Sequence, residues 1–186
     1  MRTPVIALAL ILAPAAVLSS ACSTYRETGE AETPRERLLR QADESRRAFR
    51  QQDPTMIDFF DNAYGYALFP RVTKGAAGIG AANGDGVVYE QGRLIGYADL
   101  TQVNVGLQLG GQSFSQVIFF QDGVALDRFK RGEVEFSANA SAVAAESGAA
   151  ASADYEEGVA VFSMTRGGLM FEASIGGQDF DFEPID

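Results

Sequence analysis

The sequence predicts a single α+β domain in which N-terminal helices pack on a mostly antiparallel sheet, curled into a β-barrel or a sandwich-like sheet. Helical periodicity fills residues 34–60, whereas short apolar runs separated by turn residues follow from Gly65 onward. The 186 residues include 20 Gly and 13 Phe. This composition suits β-structure with tight turns and aromatic packing.

Two helices are predicted at the start of this domain. The first runs from Pro34 to about Gln52, because Thr33 is a favourable N-cap residue and proline is well tolerated at the first helical position. A second, short apolar helix is expected over residues 56–60, because Asp53 followed by Pro54 repeats the capping pattern of the first helix. The first helix has a narrow apolar stripe, with arginines over much of its remaining surface. The stripe consists of Leu38, Ala42, Ser45 and Phe49.

The rest of the domain is predicted to be mainly strands, because apolar runs there are bounded by turn residues. The first strand is expected to end at Pro70, and the sequence NGDG at residues 83–86 is a strong turn signal. A short helix at residues 124–130 is expected to bury Leu126 and Phe129, and residues 139–153 fit either a helix or a strand. The predicted strands cover residues 66–69, 87–89, 93–99, 103–109, 114–120, 133–138, 159–164 and 169–175.

The net charge of −10 is unevenly distributed. Residues 34–52 contain six Arg and three acidic residues, a balance of +3, whereas residues 53–186 contain 7 basic and 19 acidic residues, a balance of −12. A basic segment attached to an acidic body indicates two surfaces with different partners. The acidic body excludes general nucleic-acid binding, because phosphates need a positive surface.

The residues of common catalytic and metal sites are missing. With no His and one Cys, the chain has no Ser-His or Cys-His nucleophile, and zinc lacks its commonest ligands. The glycines of residues 78–86 precede a strand-like run rather than a helix, so we expect no nucleotide site. Asp179, Asp181 and Glu183 alternate along a predicted terminal strand, as in a solvated acidic edge, with a calcium site as the alternative. We therefore expect a non-enzymatic protein without a metal or cofactor; an enzyme that uses carboxylates is the remaining alternative.

Cys22, the only cysteine, follows a secretion signal. Residues 1–2 give a basic start, residues 4–17 are apolar and uncharged, and small residues precede the cysteine. This apolar run is shorter than the roughly 20 residues of a spanning helix. The segment resembles a bacterial lipoprotein signal, so residues 1–21 are predicted to be removed and Cys22 to carry lipid such as palmitate. Ordinary cleavage near Ala21, giving a soluble secreted protein, is the alternative.

Residues 22–33 are predicted to be the lipidated N-terminus and a flexible tether, and residues 34–186 the folded domain. The first helix is expected either to lie on an anionic lipid surface or to dock on the domain, with its arginines solvated or paired with acidic residues. Lys74, in a basic turn after the first strand, joins the candidate lipid-binding set. The arginines of that set are Arg35, Arg37, Arg40, Arg46, Arg47 and Arg50.

Several motifs in the domain together resemble the SYLF domain family. They are YGYALFP at residues 64–70, TKG at 73–75, GIG at 78–80, GDGVVY at 84–89, VGLQLGGQ at 105–112 and FSMTRGGLM at 162–170. The likeness covers roughly residues 37–182. In the closing motif, Phe162 and Met164 stand where the family favours Tyr and Ser.

The resemblance implies a lipid-binding domain. Eukaryotic members of the family bind phosphoinositides, partly through a basic N-terminal helix, and some act on actin, whereas bacterial members are mostly envelope lipoproteins. We therefore expect binding of anionic phospholipid or a membrane surface in the cell envelope, with the protein lipid-anchored and facing the periplasm at the outer membrane. The alternative is a structural or protein-interaction lipoprotein whose acidic face meets a basic envelope protein.

Overall fold

The computed structural model describes residues 31–74, 80–104, 112–134, 143–145, 150, 153–165, 168–172 and 177–185. The described helices and strands belong to one compact unit, Glu32–Asp186. The predicted signal peptide, Cys22 and residues 23–30 of the tether lie outside the described residues. So do residues 105–109 and 135–138 of two predicted strands and most of residues 139–153.

Three helices are described: α1 (Pro34–Gln52), α2 (Met56–Asn62) and α3 (Gly123–Lys130). The prediction of α1 is confirmed, including Thr33 as its N-cap and proline at its first position. The helix at residues 124–130 is also confirmed as α3, with Leu126 and Phe129 buried. The cap residue of α2 is Thr55, whose N–H and hydroxyl both donate to the buried carboxylate of Asp53, at 2.9 and 2.7 Å.

All the described strands pair antiparallel in one sheet, in the order β5-β7-β6-β4-β1-β2-β3-β8. The α+β class is therefore confirmed. The strands are β1 (Gly65–Lys74), β2 (Gly80–Glu90), β3 (Arg93–Asn104), β4 (Gln112–Phe120), β5 (Val143–Ala145), β6 (Val159–Thr165), β7 (Gly168–Glu172) and β8 (Gln178–Pro184).

The predicted turn at residues 83–86 is wrong, because these residues lie inside β2 and pair with β3. Glycine is needed at Gly86 for close packing: a Cβ there would lie 2.5 Å from the ring of Phe69. The turn between β2 and β3 instead uses Gln91 and Gly92, both with positive φ. Clustered glycines are typical of turns, but the glycines of this segment instead allow close approach of neighbouring strands and side chains.

The predicted end of the first strand at Pro70 is also wrong. Strand β1 continues to Lys74, and its register with β4 shifts between Phe69 and Val72. A proline is tolerated inside a sheet at such an irregularity, because the ladder hydrogen bond that it cannot donate is already missing. We refer to residues 70–71 as the β1 bulge.

The prediction that the sheet closes into a barrel is wrong, and a second sheet of a sandwich is not found among the described strands. The sheet is nevertheless strongly curled. The side-chain amide of Gln116 on β4 donates to Gln178 on β8 at 3.0 Å, although three strands separate β4 from β8. Helix α3 fills the inside of the curl, where Phe129 packs on Phe120 and Phe180 at ring distances of 5.0 and 5.1 Å. The end strands β5 and β8 do not pair with each other in the described part of the chain, so the sheet stays open.

The two faces of the sheet carry separate apolar clusters. The inner face, inside the curl, packs against α3 through residues such as Phe69, Phe120 and Phe180. The outer face packs against α1 and α2 through residues such as Tyr66 and Phe119. The arginine-rich helix therefore lies on the outside of the curled sheet.

Candidate functional site

Helix α1 presents the predicted lipid-binding arginines, and a capping box fixes where it begins. The backbone N–H of Glu36 donates to the hydroxyl of Thr33 at 3.2 Å, while the backbone N–H of Thr33 donates to the Glu36 carboxylate at 2.8 Å. Both bonds satisfy N–H groups that have no partner within the helix. The sequence signal for this start is therefore local and strong.

The apolar stripe of α1 faces the outer surface of the sheet. Ala42, Ser45 and Phe49 are buried, and Leu38 is half-buried. Phe49 is fully buried in the cluster that contains Tyr66 and Phe119. The docked arrangement of the helix is therefore observed, and its arginines lie on its flanks and outward face.

Three of these arginines contact the outer face or the neighbouring helix. Arg35 lies 4.7 Å above the ring of Tyr97, and Arg50 forms an ion pair with Asp61 of α2 at 2.9 Å. Arg46 donates to the hydroxyl of Tyr66 at 3.4 Å. Burial alone would lower the pKa of the Arg46 guanidinium, but this hydrogen bond and neighbouring negative charge raise it overall. These arginines help to hold α1 on the sheet.

The other three arginines point into solvent. Arg40 lies 2.9 Å from both Glu32 and Glu44, and Arg37 lies 3.5 Å from Glu32. The hydrogen bond from Arg40 holds the pKa of Glu32 below its usual value. Arg47 is exposed and has no ion pair among the described residues. Exposed ion pairs contribute about 0–1 kcal/mol each, so this outward face can exchange partners readily.

Lys74 stands apart from this helix. It lies near the end of β1, where its ammonium is 4.8 Å from the centre of the Phe114 ring. The structure thus brings the six arginines together on one helix and leaves Lys74 on the sheet.

Arg71, which no sequence pattern predicts to be functional, lies close to α1. Two adjoining cavities, of about 290 and 300 Å³, separate α1 from the β1 bulge, and Gln41, Pro70 and Arg71 line both of them. Arg71 is exposed and forms no ion pair with a described residue. No local pattern identifies this position, because a single arginine in a strand gains its neighbours only when the helix docks.

The acidic residues form a row across the outer face of the sheet. Asp85 on β2 pairs with Asp99 on β3, which in turn pairs with Asp181 on β8. Loss of hydration first, and then the charges of Asp85 and Asp181, raise the pKa of the Asp99 carboxyl. As predicted, Asp179 and Glu183 share this exposed face of the last strand.

The described residues contain neither a metal site nor a membrane-spanning helix. Within them, no group of three or more acidic or cysteine side chains is arranged to hold a metal ion. Likewise, no helix in the described ranges is long and apolar enough to cross a membrane. Cys22, the predicted lipidation site, lies outside those ranges.

Comparison with known proteins identifies the family. Residues 101–182 match the family model Ysc84, described as "Las17-binding protein actin regulator". The chain is also 30% identical over 137 residues to Beta cell expansion factor A of Aeromonas veronii, with 72% of this chain and 51% of that protein covered. It therefore spans about half the length of this curated relative. The family inferred from the sequence motifs is confirmed: the chain belongs to the SYLF (Ysc84) domain family.

Proposed function

We propose that this protein is a non-enzymatic lipoprotein of the bacterial cell envelope that binds anionic phospholipid through the outward face of α1. The observation that carries the proposal is the set of six arginines on one docked helix of a SYLF domain. Membership of this family suggests lipid binding or actin-related roles. The predicted secretion signal favours lipid, because a protein in a bacterial envelope does not meet eukaryotic actin.

The docking of α1 determines which forces attract lipid. Its apolar stripe is buried against the sheet, so little apolar surface remains to insert into a bilayer. Attraction must therefore be mainly electrostatic, at about 1 kcal/mol for each arginine near an anionic surface. Arg37, Arg40 and Arg47 are exposed, and lipid phosphates can replace Glu32 and Glu44 as their partners at low cost.

Vesicle co-sedimentation with two matched triple variants tests this surface. We expect Arg37→Gln, Arg40→Gln and Arg47→Gln together to remove most binding to vesicles rich in anionic lipid. The matched control makes the same charge change away from α1, at three exposed or partly exposed arginines. These are Arg93, Arg128 and Arg131.

The control is expected to keep most of the binding, and salt is expected to weaken binding of the unchanged protein steeply. Screening shortens electrostatic reach to about 8 Å at physiological ionic strength. Equal loss in both triple variants would show that only overall charge matters. Unchanged binding in the α1 variant would contradict the proposed surface.

The anchor is a separate part of the proposal and has its own test. Cys22 is the only cysteine and follows an apolar run with small residues before it. We expect Cys22→Ala to move the protein from the membrane fraction to the soluble fraction and to abolish acyl labelling. A mature protein that begins at another residue, or that carries no acyl chain, would exclude the lipoprotein assignment.

The acidic row supports a second function, in which the protein meets a basic envelope protein. Asp85, Asp99 and Asp181 lie directly opposite one another on an exposed face, an arrangement that costs stability unless a cation neutralises it. Crosslinking in intact envelopes from positions on this face distinguishes the two functions. Recovery of one basic protein from this face, with no lipid binding by α1, would favour the second.

A further inference from the structure

Glu32, which precedes the N-cap residue Thr33, contacts two arginines of the outward face of α1. Its carboxylate oxygens accept hydrogen bonds from Nε and Nη2 of Arg40, at 2.9 and 3.3 Å, and one of them lies 3.5 Å from Nε of Arg37. The backbone carbonyl of Glu32 also accepts a hydrogen bond from Arg37, at 3.4 Å. The segment that leads into α1 therefore folds back along the helix and places a carboxylate on its outward arginines.

The contact with Arg40 has the geometry in which a guanidinium holds an oxyanion. Nε and Nη2 form one edge of the guanidinium, and each of them meets a different oxygen of the same carboxylate. An arginine binds two oxygens of a phosphate group through the same kind of fork. The Glu32 carboxylate thus occupies the place that a lipid phosphate would take on this helix.

The other acidic residues of α1 leave this position open. Glu44 meets Arg40 at Nη1, at 2.9 Å, and so does not use the edge that Glu32 occupies. Asp43 pairs with Arg46, which is one of the arginines held against the sheet. Among the described ion pairs, Glu32 is therefore the carboxylate that is shared by two outward arginines.

A dense anionic surface can displace Glu32, because the contact is exposed and exposed ion pairs exchange readily. Glu32 nevertheless competes in every molecule, since a group joined to its site by a short segment acts at an effective concentration on the order of millimolar. A membrane rich in anionic lipid offers several phosphates to Arg37, Arg40 and Arg47 at once. A sparsely charged membrane offers too few to replace the carboxylate.

We propose that Glu32 is an intramolecular competitor for the lipid phosphate at Arg37 and Arg40, and that it restricts binding to membranes dense in anionic lipid. In the free protein the carboxylate stays on Arg40, and a lipid phosphate replaces it on binding. This inference rests on the proposed lipid-binding face and adds its regulation. Removing the competitor raises the fraction of molecules whose arginines are free, which lowers the apparent Kd.

Co-sedimentation with phosphatidylcholine vesicles that contain increasing fractions of phosphatidylglycerol tests the competitor. The protein is the chain from residue 22 onward carrying Cys22→Ala, so that neither the apolar signal segment nor an acyl chain contributes to binding. We expect Glu32→Ala to bind about threefold or more tightly, since a competing contact weakens affinity by the fraction of molecules that it leaves free. The phosphatidylglycerol fraction needed for half of the protein to bind is expected to fall accordingly.

Two variants separate loss of the contact from loss of charge. Asp43→Asn removes the same charge from α1 but frees neither Arg37 nor Arg40, so it is expected to bind nearly as the unchanged protein does. In a double-mutant cycle, Glu32→Ala is expected to add little affinity when Arg40→Gln is already present. Equal tightening by Asp43→Asn, or an equal gain from Glu32→Ala with and without Arg40, would overturn the proposal.

NMR titration of side-chain carboxyl groups tests the contact without a membrane. The hydrogen bond from Arg40 is expected to hold the pKa of Glu32 below its ordinary value of 4.5 in the free protein, and Arg40→Gln to return it toward that value. An ordinary pKa of Glu32 in the unchanged protein would show that the carboxylate does not stay on Arg40, which would overturn its assigned role.

Failure of this inference is distinguishable from failure of the lipid-binding proposal. If neither the unchanged protein nor Glu32→Ala binds anionic vesicles, the proposed lipid surface is wrong and the competitor falls with it. If the unchanged protein binds and Glu32→Ala binds no more tightly, the lipid surface stands and only the competitor is overturned.

Discussion

Replacing Asp99 by Asn is expected to stabilise the protein at neutral pH. Asp99 lies directly opposite Asp85 on one side and Asp181 on the other, and all three residues are exposed. Cross-strand pairs contribute about 0.2–1 kcal/mol each, and like charges make the contribution unfavourable. Since solvent screens exposed charges, we expect a gain of about 0.5–1 kcal/mol in the free energy of unfolding.

The effect of pH on this variant follows from the raised pKa of Asp99. A carboxyl whose pKa is higher in the folded state than its ordinary value of 3.8 binds protons more tightly when folded. The contribution of Asp99 to stability is complete while the pH lies below the pKa of this carboxyl in the unfolded chain. It is lost as the pH rises through the pKa that the carboxyl has in the folded protein. The advantage of Asp99→Asn should therefore be absent in strong acid and grow as the pH rises.

Urea denaturation across pH and salt measures this difference. Asp179→Asn is the matched control, because Asp179 lies on the same exposed face of β8 but opposite Thr101 rather than a carboxylate. The gain of Asp99→Asn should exceed that of the control and shrink with salt. Equal gains would show that only net charge matters, and a destabilised Asp99→Asn would refute the reasoning.

Four other substitutions test packing and burial, with Val124→Ala serving as the control for Phe49→Ala. Phe49→Ala is expected to lower the free energy of unfolding by about 3–5 kcal/mol in the urea assay, because the Phe49 ring is fully buried. Val124 is 69% exposed, so the control substitution should change the free energy of unfolding by less than about 0.5 kcal/mol. Gly86→Ala should cost about 1–3 kcal/mol, because the new Cβ would meet the Phe69 ring, and an unchanged urea midpoint would contradict this. Burial raises the pKa of the Tyr66 hydroxyl, so this group loses its proton more readily in the unfolded chain than in the folded protein. The free energy of unfolding should therefore fall as the pH rises through that pKa. Tyr66→Phe, which has no such group, should lose less stability over the same alkaline range.

The helix boundaries could be predicted from sequence because their signals are local. Thr33 and Pro34 mark the start of α1, and the stripe that includes Ala42 and Phe49 identifies its buried face. The alternation at the end of the chain likewise predicted the exposed acidic face of β8. Each signal depends only on residues within a few positions of one another.

Features that depend on distant neighbours could not be predicted. Gly86 resembles a turn residue in sequence, yet it is in a strand because Phe69 packs over it. The row formed by Asp85, Asp99 and Asp181 depends on the register of three strands. The curl of the sheet, held by the Gln116–Gln178 hydrogen bonds, and the cavities beside Arg71 have no local pattern at all.

The most direct test of the proposed lipid-binding surface places a tryptophan on it. The chain contains no Trp, so one introduced indole reports alone. Gln51 is exposed and lies four residues after Arg47, on the same side of α1. Arg93→Trp, on the β2–β3 hairpin, is the matched control at another exposed position.

Fluorescence is then recorded with anionic and with zwitterionic vesicles that contain brominated lipid, which quenches nearby indoles. Binding through the outward face of α1 predicts a blue shift and quenching for Gln51→Trp with anionic vesicles only, reversed by salt, and no change for Arg93→Trp. Quenching of Arg93→Trp alone, or of neither tryptophan while the protein still sediments with vesicles, would contradict the proposed orientation.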